Sequence, residues 1–135
     1  MRLLESTDLA LRVLMQLATA PEQLVSTDVL ARELVVSRHH LQKIVQFLTE
    51  AGFLRTLRGA RGGVMLAMPA DQIQIGDLIR RHERHQALVE CFRPDGGACT
   101  LLPRCRLKGM LAGAEQAFYR HLDGKTLADC LAGTC

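Results

Sequence analysis

Three thiols fall within one short stretch, Cys91-Phe-Arg-Pro-Asp-Gly-Gly-Ala-Cys99-Thr-Leu-Leu-Pro-Arg-Cys105. Pro94, Gly96, Gly97 and Pro103 make this stretch turn-prone. Soft thiolates select iron–sulfur clusters, zinc or copper(I) over hard cations. A closed zinc site or an iron–sulfur cluster takes four protein ligands, so the stretch is one ligand short. The plainer alternative is three inert thiols buried as small hydrophobes. Core cysteines belong to periodic apolar segments, however, and Cys99 stands beside a polar Gly-Gly turn, so ligation is the expectation. Cys130 and Cys135 lie near the C-terminus with no partner at ligand spacing and are left out of the site. An odd total of five cysteines argues against a disulfide framework and for metal or redox chemistry in a reducing compartment. A nucleophilic Cys99 would need an assisting histidine, and none is evident. The chain carries no G-x-S-x-G, P-loop or dinucleotide fingerprint, so it is not expected to be an enzyme.

The elements around this stretch can be read from apolar periodicity. Leu9, Val13 and Leu17, with Ala10 and Leu14 beside them, predict a helix over residues 8–18, capped by Ser6 or Thr7 and closed before Pro21. A short helix is expected from Thr27, with Leu30, Ala31 and Leu34 inward. Ser37 should cap a third helix, in which Leu41, Ile44, Val45 and Leu48 form a buried stripe and Gly52 marks the end. Arg38, His39, Gln42, Lys43 and Gln46 fall on its opposite, polar side. Two helices joined by a short turn, the second basic outside, describe a helix-turn-helix. Adjacent histidines on a helix point apart, so His39 and His40 make a poor metal pair, and a DNA-facing position suits His39 better. Residues 53–58 and 64–67 read as two strands around a glycine-rich turn carrying Arg58 and Arg61. That is the pattern of a wing whose arginines enter a minor groove. A helix over Ile75–Glu83 should turn Leu78 and Ile79 inward and Arg80 and Arg81 outward. A long helix after Cys105 should run to about Leu122, with Leu107, Met110, Leu111, Ala114 and Phe118 on one face, close to a heptad seam. Gly109 and Gly113, which would weaken a lone helix, predict close approach of another helix, most simply a second copy of the chain. The tail, 124–135, is expected to add one short helix.

Composition permits these readings without proving them. At 135 residues and 48% hydrophobic content the chain can bury one core. Its net charge of +3 is compatible with a nucleic-acid partner. The absence of Trp speaks against base stacking on aromatic platforms. The first residues carry acids too early for a signal peptide, and no apolar run is long enough for a bilayer span, which together predict a cytoplasmic protein without a membrane partner.

Several stretches resemble the winged-helix iron–sulfur transcriptional repressors of the NsrR/IscR family, NsrR-like members most closely. The likeness covers nearly the whole chain. It is carried by Leu3 to Leu14, by Leu41-Gln-Lys-Ile-Val45 and by the wing, Arg58-Gly-Ala-Arg-Gly-Gly-Val-Met-Leu66. It is also carried by Val89-Glu-Cys-Phe92 and Pro103-Arg-Cys-Arg-Leu-Lys108. The resemblance implies a mainly α fold. This comprises a winged helix-turn-helix DNA-binding domain over residues 1–83, a cysteine cluster-binding loop over 84–104, and a dimerisation helix with its tail over 105–135. It implies a homodimeric repressor that binds a double-stranded DNA operator and senses nitric oxide through an iron–sulfur cluster. The likeness leans toward [4Fe-4S], with [2Fe-2S] as the other form. IscR-like members complete the cluster with a histidine three residues after the last cysteine, where this chain has Lys108. NsrR-like members can use an acidic residue near the N-terminus, given by the other subunit, and the matching residue is Asp8. The expected metal ligands are therefore Cys91, Cys99, Cys105 and Asp8, and the expected DNA contacts are Arg38, His39, Gln42, Lys43, Arg58 and Arg61. The rival readings are an iron- or redox-responsive regulator of the same family, or a winged-helix regulator with a structural zinc site.

Overall fold

A computed structural model describes residues 2–131 and 133. The described residues form two compact units, one built from residues 4–73 with 126–131 and 133, the other from 74–125 with residues 2 and 3.

In the larger unit α1 spans Glu5–Ala18, α2 Thr27–Glu33 and α3 Arg38–Glu50. The apolar stripes turn inward as their spacing demands. Leu9, Val13, Leu14 and Leu17 of α1, Leu30 of α2, and Leu41, Ile44, Val45 and Leu48 of α3 are all buried. The start of α1 corrects the expected cap. The helix begins one turn earlier, at Glu5, with Leu4 at the cap position and no side chain capping it. The Leu4 carbonyl accepts from the Thr7 and Asp8 N–H groups at 3.0 and 3.1 Å. Thr7 lies inside the first turn and is fully buried, so its hydroxyl is not at the terminus. Glu5 and Asp8 place acid against the positive end of the helix dipole instead. By contrast Ser26 and Ser37 cap α2 and α3 as serines should, accepting from Val29 and His40 N–H at 3.2 Å each. Beyond α3 the Gly52 N–H returns to Thr49 O and the Phe53 N–H to Leu48 O, closing the helix.

Strands β1 (Leu54–Leu57) and β2 (Gly63–Leu66) pair antiparallel, with Leu54 opposite Leu66 and Leu57 opposite Gly63. Val25, between α1 and α2, adds a bridge to Val64 on the open edge of β2, with N–H···O bonds of 3.0 and 2.8 Å. Gly63 permits it, because a Cβ there would lie 2.7 Å from the Val25 carbonyl oxygen. A short 3₁₀ turn, Ala70–Gln72, follows the sheet. Helix α6 (Leu127–Leu131) packs on α1 and on that turn, with Leu127 fully buried.

The smaller unit holds α4 (Ile75–Glu83), a 3₁₀ turn at Glu90–Phe92, the cysteine segment, and α5 (Arg106–Leu122). Ile75, Leu78 and Ile79 are buried while Arg80 and Arg81 face out. Arg80 ties α4 to the end of α5. Its guanidinium bonds both Asp123 carboxylate oxygens, at 2.6 and 2.9 Å, and lies 4.7 Å from the centre of the Tyr119 ring. Helix α5 itself has no fully buried residue, and Leu107 and Met110 are 58% and 68% exposed.

Candidate nucleic-acid interface and cysteine segment

Helix α3 presents Arg38, His39, Gln42, Lys43 and Gln46 to solvent, all on the side away from its buried stripe. The Ser37-capped N-terminal end of α3 is exposed, and this is the end that meets base edges in helix-turn-helix proteins. Arg38 is held in place by Asp28 of α2 at 3.0 Å. Both side chains are more than half exposed, so the pair orients Arg38 more than it stabilises the fold. Sequence reading missed this pairing, because residues ten apart in two different helices meet only after the helices pack. The wing tip, residues 58–62, carries Arg58 and Arg61, both exposed. Two arginines on a thin ribbon beside a polar helix suit phosphate contact and entry into a narrow minor groove.

Each of the three cysteines is a free thiol of intermediate burial. Cys91 lies in the 3₁₀ turn, Cys99 on the loop beyond it, and Cys105 at the cap position of α5. Two acids shape the loop between them. Asp95 accepts from the Gly97 N–H at 3.0 Å and from Arg93 at 2.7 Å. Glu90 accepts from the Ala98 N–H at 3.0 Å. Gly97, at φ +64°, passes so close over Glu90 that a Cβ there would meet the Glu90 carbonyl oxygen at 2.9 Å. Glu90 thus fastens the residue before Cys99 to the residue before Cys91. Nothing in the sequence announced this role except an acid beside a cysteine. In kind and number the donors suit a thiophilic iron centre with one ligand still to be supplied. Among the described residues no three Cys, His, Asp or Glu side chains are gathered closely enough to hold a metal ion. Asp8 is exposed on the first turn of α1, 3.7 Å from Arg12 one turn later. Arg12 also donates to the Leu34 carbonyl at the end of α2, at 3.2 Å. Cys130 is half-buried in α6 with its thiol 3.7 Å from the Thr126 carbonyl, and Cys135 lies outside the described residues.

A capped recognition helix, a supporting helix before it and an arginine-tipped ribbon after it define a winged helix-turn-helix, the architecture of DNA-binding regulators. Comparison with known proteins narrows that class. The chain belongs to the Rrf2 family of iron-dependent transcriptional regulators, whose family pattern matches residues 3–133. It is 43% identical over 132 residues to the HTH-type transcriptional regulator NsrR of Geobacillus kaustophilus, covering 97% of this chain and 90% of that protein. It is 39% identical, with the same coverage, to the regulator of that name from Halalkalibacterium halodurans. Its fold is similar to that of CymR, the global cysteine regulator of B. subtilis. The TM-score is 0.76 at 27% identity, over 100% of this chain and 99% of that one. IscR of T. potens, at 24% identity and a TM-score of 0.74 over 97% of this chain and 86% of that one, shares the fold. The protein is a transcriptional regulator of helix-turn-helix type and not an enzyme. No helix among the described residues is long and apolar enough to cross a membrane.

Proposed function

We propose that the protein is a homodimeric repressor that holds an iron–sulfur cluster on Cys91, Cys99 and Cys105 and releases its operator in response to nitric oxide. The observation that carries this reading is the set of three free, half-exposed thiols on one segment behind a winged helix. The resemblance to NsrR-like repressors supports the effector, the [4Fe-4S] form and a fourth ligand from Asp8 of the second copy. When bound, such a cluster supplies an iron that exchanges ligands readily where it carries a carboxylate rather than a thiolate.

The chain's own residues do the rest. Glu90 and Asp95 hold the loop in the turn that keeps Cys99 near the Cys91 end of the segment. Cys105 heads α5, so a ligand there acts directly on the pairing helix. Asp8 stands in the same helix as Arg12, whose bond to Leu34 reaches the helix-turn-helix, so a pull on Asp8 is felt at the turn before α3. Residues 84–104 then serve as the cluster loop and α5 as the pairing helix.

Anaerobic purification with iron and sulfide analysis, visible spectra and a nitric-oxide titration of DNA binding tests the proposal. We expect a brown protein whose chromophore is abolished by Cys99→Ala and kept in Cys130→Ala. We expect the operator to be released as nitric oxide is added. A colourless protein containing zinc, or a full-strength chromophore in Cys99→Ala, would refute it.

A further inference from the structure

Val35, in the turn between α2 and α3, is 88% exposed and adopts φ +55°. A β-branched side chain in the left-handed region is a marked departure from what L-residues tolerate. The turn does not require valine. Its bonds are Leu34 N–H to Leu30 O at 2.9 Å, Val35 N–H to Arg32 O at 3.3 Å, Val36 N–H to Ala31 O at 3.0 Å and Arg12 to Leu34 O at 3.2 Å, none of which uses the Val35 side chain. Glycine would make every one of them without strain. Burial does not offset the strain either, because the side chain projects into solvent. A residue that costs the fold and packs against nothing points to a role outside the fold.

The surroundings say which role. Val35 lies two residues before the Ser37 cap of α3, at the end of the helix that faces base edges. Val35 stands out beside Ala31 and Val36 along the apolar side of a shallow, open depression that Arg32, Arg38 and Asp28 complete. A protruding apolar side chain beside Arg32 and the Asp28-paired Arg38 suits a ligand that carries negative charge at its edges and a methyl group between them. A DNA major groove offers both, since phosphates flank the thymine C5-methyl group.

We propose that Val35 is a specificity-determining residue that contacts a thymine methyl in the operator, with Arg32 and Arg38 on the flanking backbone or bases. The proposal rests on the DNA-binding reading above. It is tested with the full-length protein and a duplex enriched by that protein from a random-sequence pool. Val35→Gly and Val35→Asn, both at ease at positive φ, should raise the thermal midpoint by a few degrees while weakening binding to that duplex by about three- to ten-fold. Each thymine is then replaced singly by uracil, which lacks only the methyl. One position per half-site should cost the parent protein that same factor and cost the variants nothing further. Parent-like affinity in Val35→Gly would overturn the proposal and leave the depression to a protein partner. Weakened binding with no thymine coupled to Val35 would also overturn it. Failure to enrich any duplex would overturn the DNA-binding reading itself, and this inference with it.

Discussion

Arg58 and Arg61 sit on an exposed tip with glycines on either side. Their charge is available to a phosphate without first breaking a strong internal pair. Each neutralised phosphate releases a condensed counterion, so losing one arginine should reduce the slope of log affinity against log salt by about one unit. Arg58→Ala and Arg61→Ala are therefore expected to weaken operator and random duplex alike, measured by fluorescence anisotropy over a salt series. Glu90 makes a different kind of contribution. Its bond to the Ala98 N–H holds the loop at Cys99 and leaves the thiols themselves untouched. Glu90→Ala should speed alkylation of Cys99 in the metal-free protein while Cys130 reacts as before, read by mass spectrometry of labelled peptides. Equal rates at Cys99 would show that Asp95 alone holds the turn.

At the scale of the element, α5 is the anomaly. It spans Arg106–Leu122 and exposes Leu107 and Met110 by more than half. Apart from their chain neighbours and the backbone of their own helix, neither Gly109 nor Gly113 has any atom within 4 Å of where a Cβ would stand. Glycine weakens a solvent-facing helix by about 1 kcal/mol relative to alanine. The arrangement is economical only if another backbone comes close, as a second α5 would in a homodimer. If α5 pairs the proposed homodimer, Leu107→Glu combined with Met110→Glu should give a monomer by light scattering, with helix content by circular dichroism little changed. A double variant that stays dimeric would place the pairing surface elsewhere.

Over the whole molecule, stability should depend on pH through α4 and its neighbours. Burial holds the His82 imidazole below its ordinary value of 6.5, against a smaller opposing pull from Glu83. The unfolded chain takes up this proton near the ordinary value, the folded chain only at lower pH. Between the two values the unfolded state binds more protons, so stability is complete above 6.5 and is lost as pH falls toward the folded value. His82→Gln should flatten that part of the curve, seen as a smaller change in urea midpoint between about pH 7.5 and about pH 5.5. Asp123 behaves in the same direction at lower pH. Its hydrogen bond from Arg80 holds the carboxyl below the ordinary value of 3.8, so the stabilisation is present above 3.8 and is lost as pH falls through the folded value. The loss through His82 begins below 6.5 and the loss through Asp123 below 3.8, so Asp123→Asn should alter only the part of the curve below 3.8.

Local rules made much of this protein legible from its sequence. The α3 stripe, the Ser37 cap, the Ile75–Glu83 helix and the wing with its arginine tip follow from spacing and turn chemistry, which act between residues a few positions apart. The gathering of three thiols on one turn-prone segment was legible for the same reason. The tertiary structure decided whatever depends on distant segments meeting. It started α1 at Glu5 rather than at a Ser or Thr cap, because Thr7 is drawn into the core. It brought Val25 onto β2, Asp28 onto Arg38, and Arg80 onto Asp123. It also set Val35 at positive φ, in the short turn that joins α2 to α3. Residue type alone argues against that conformation, which is why no pattern of apolar and polar residues could have revealed it.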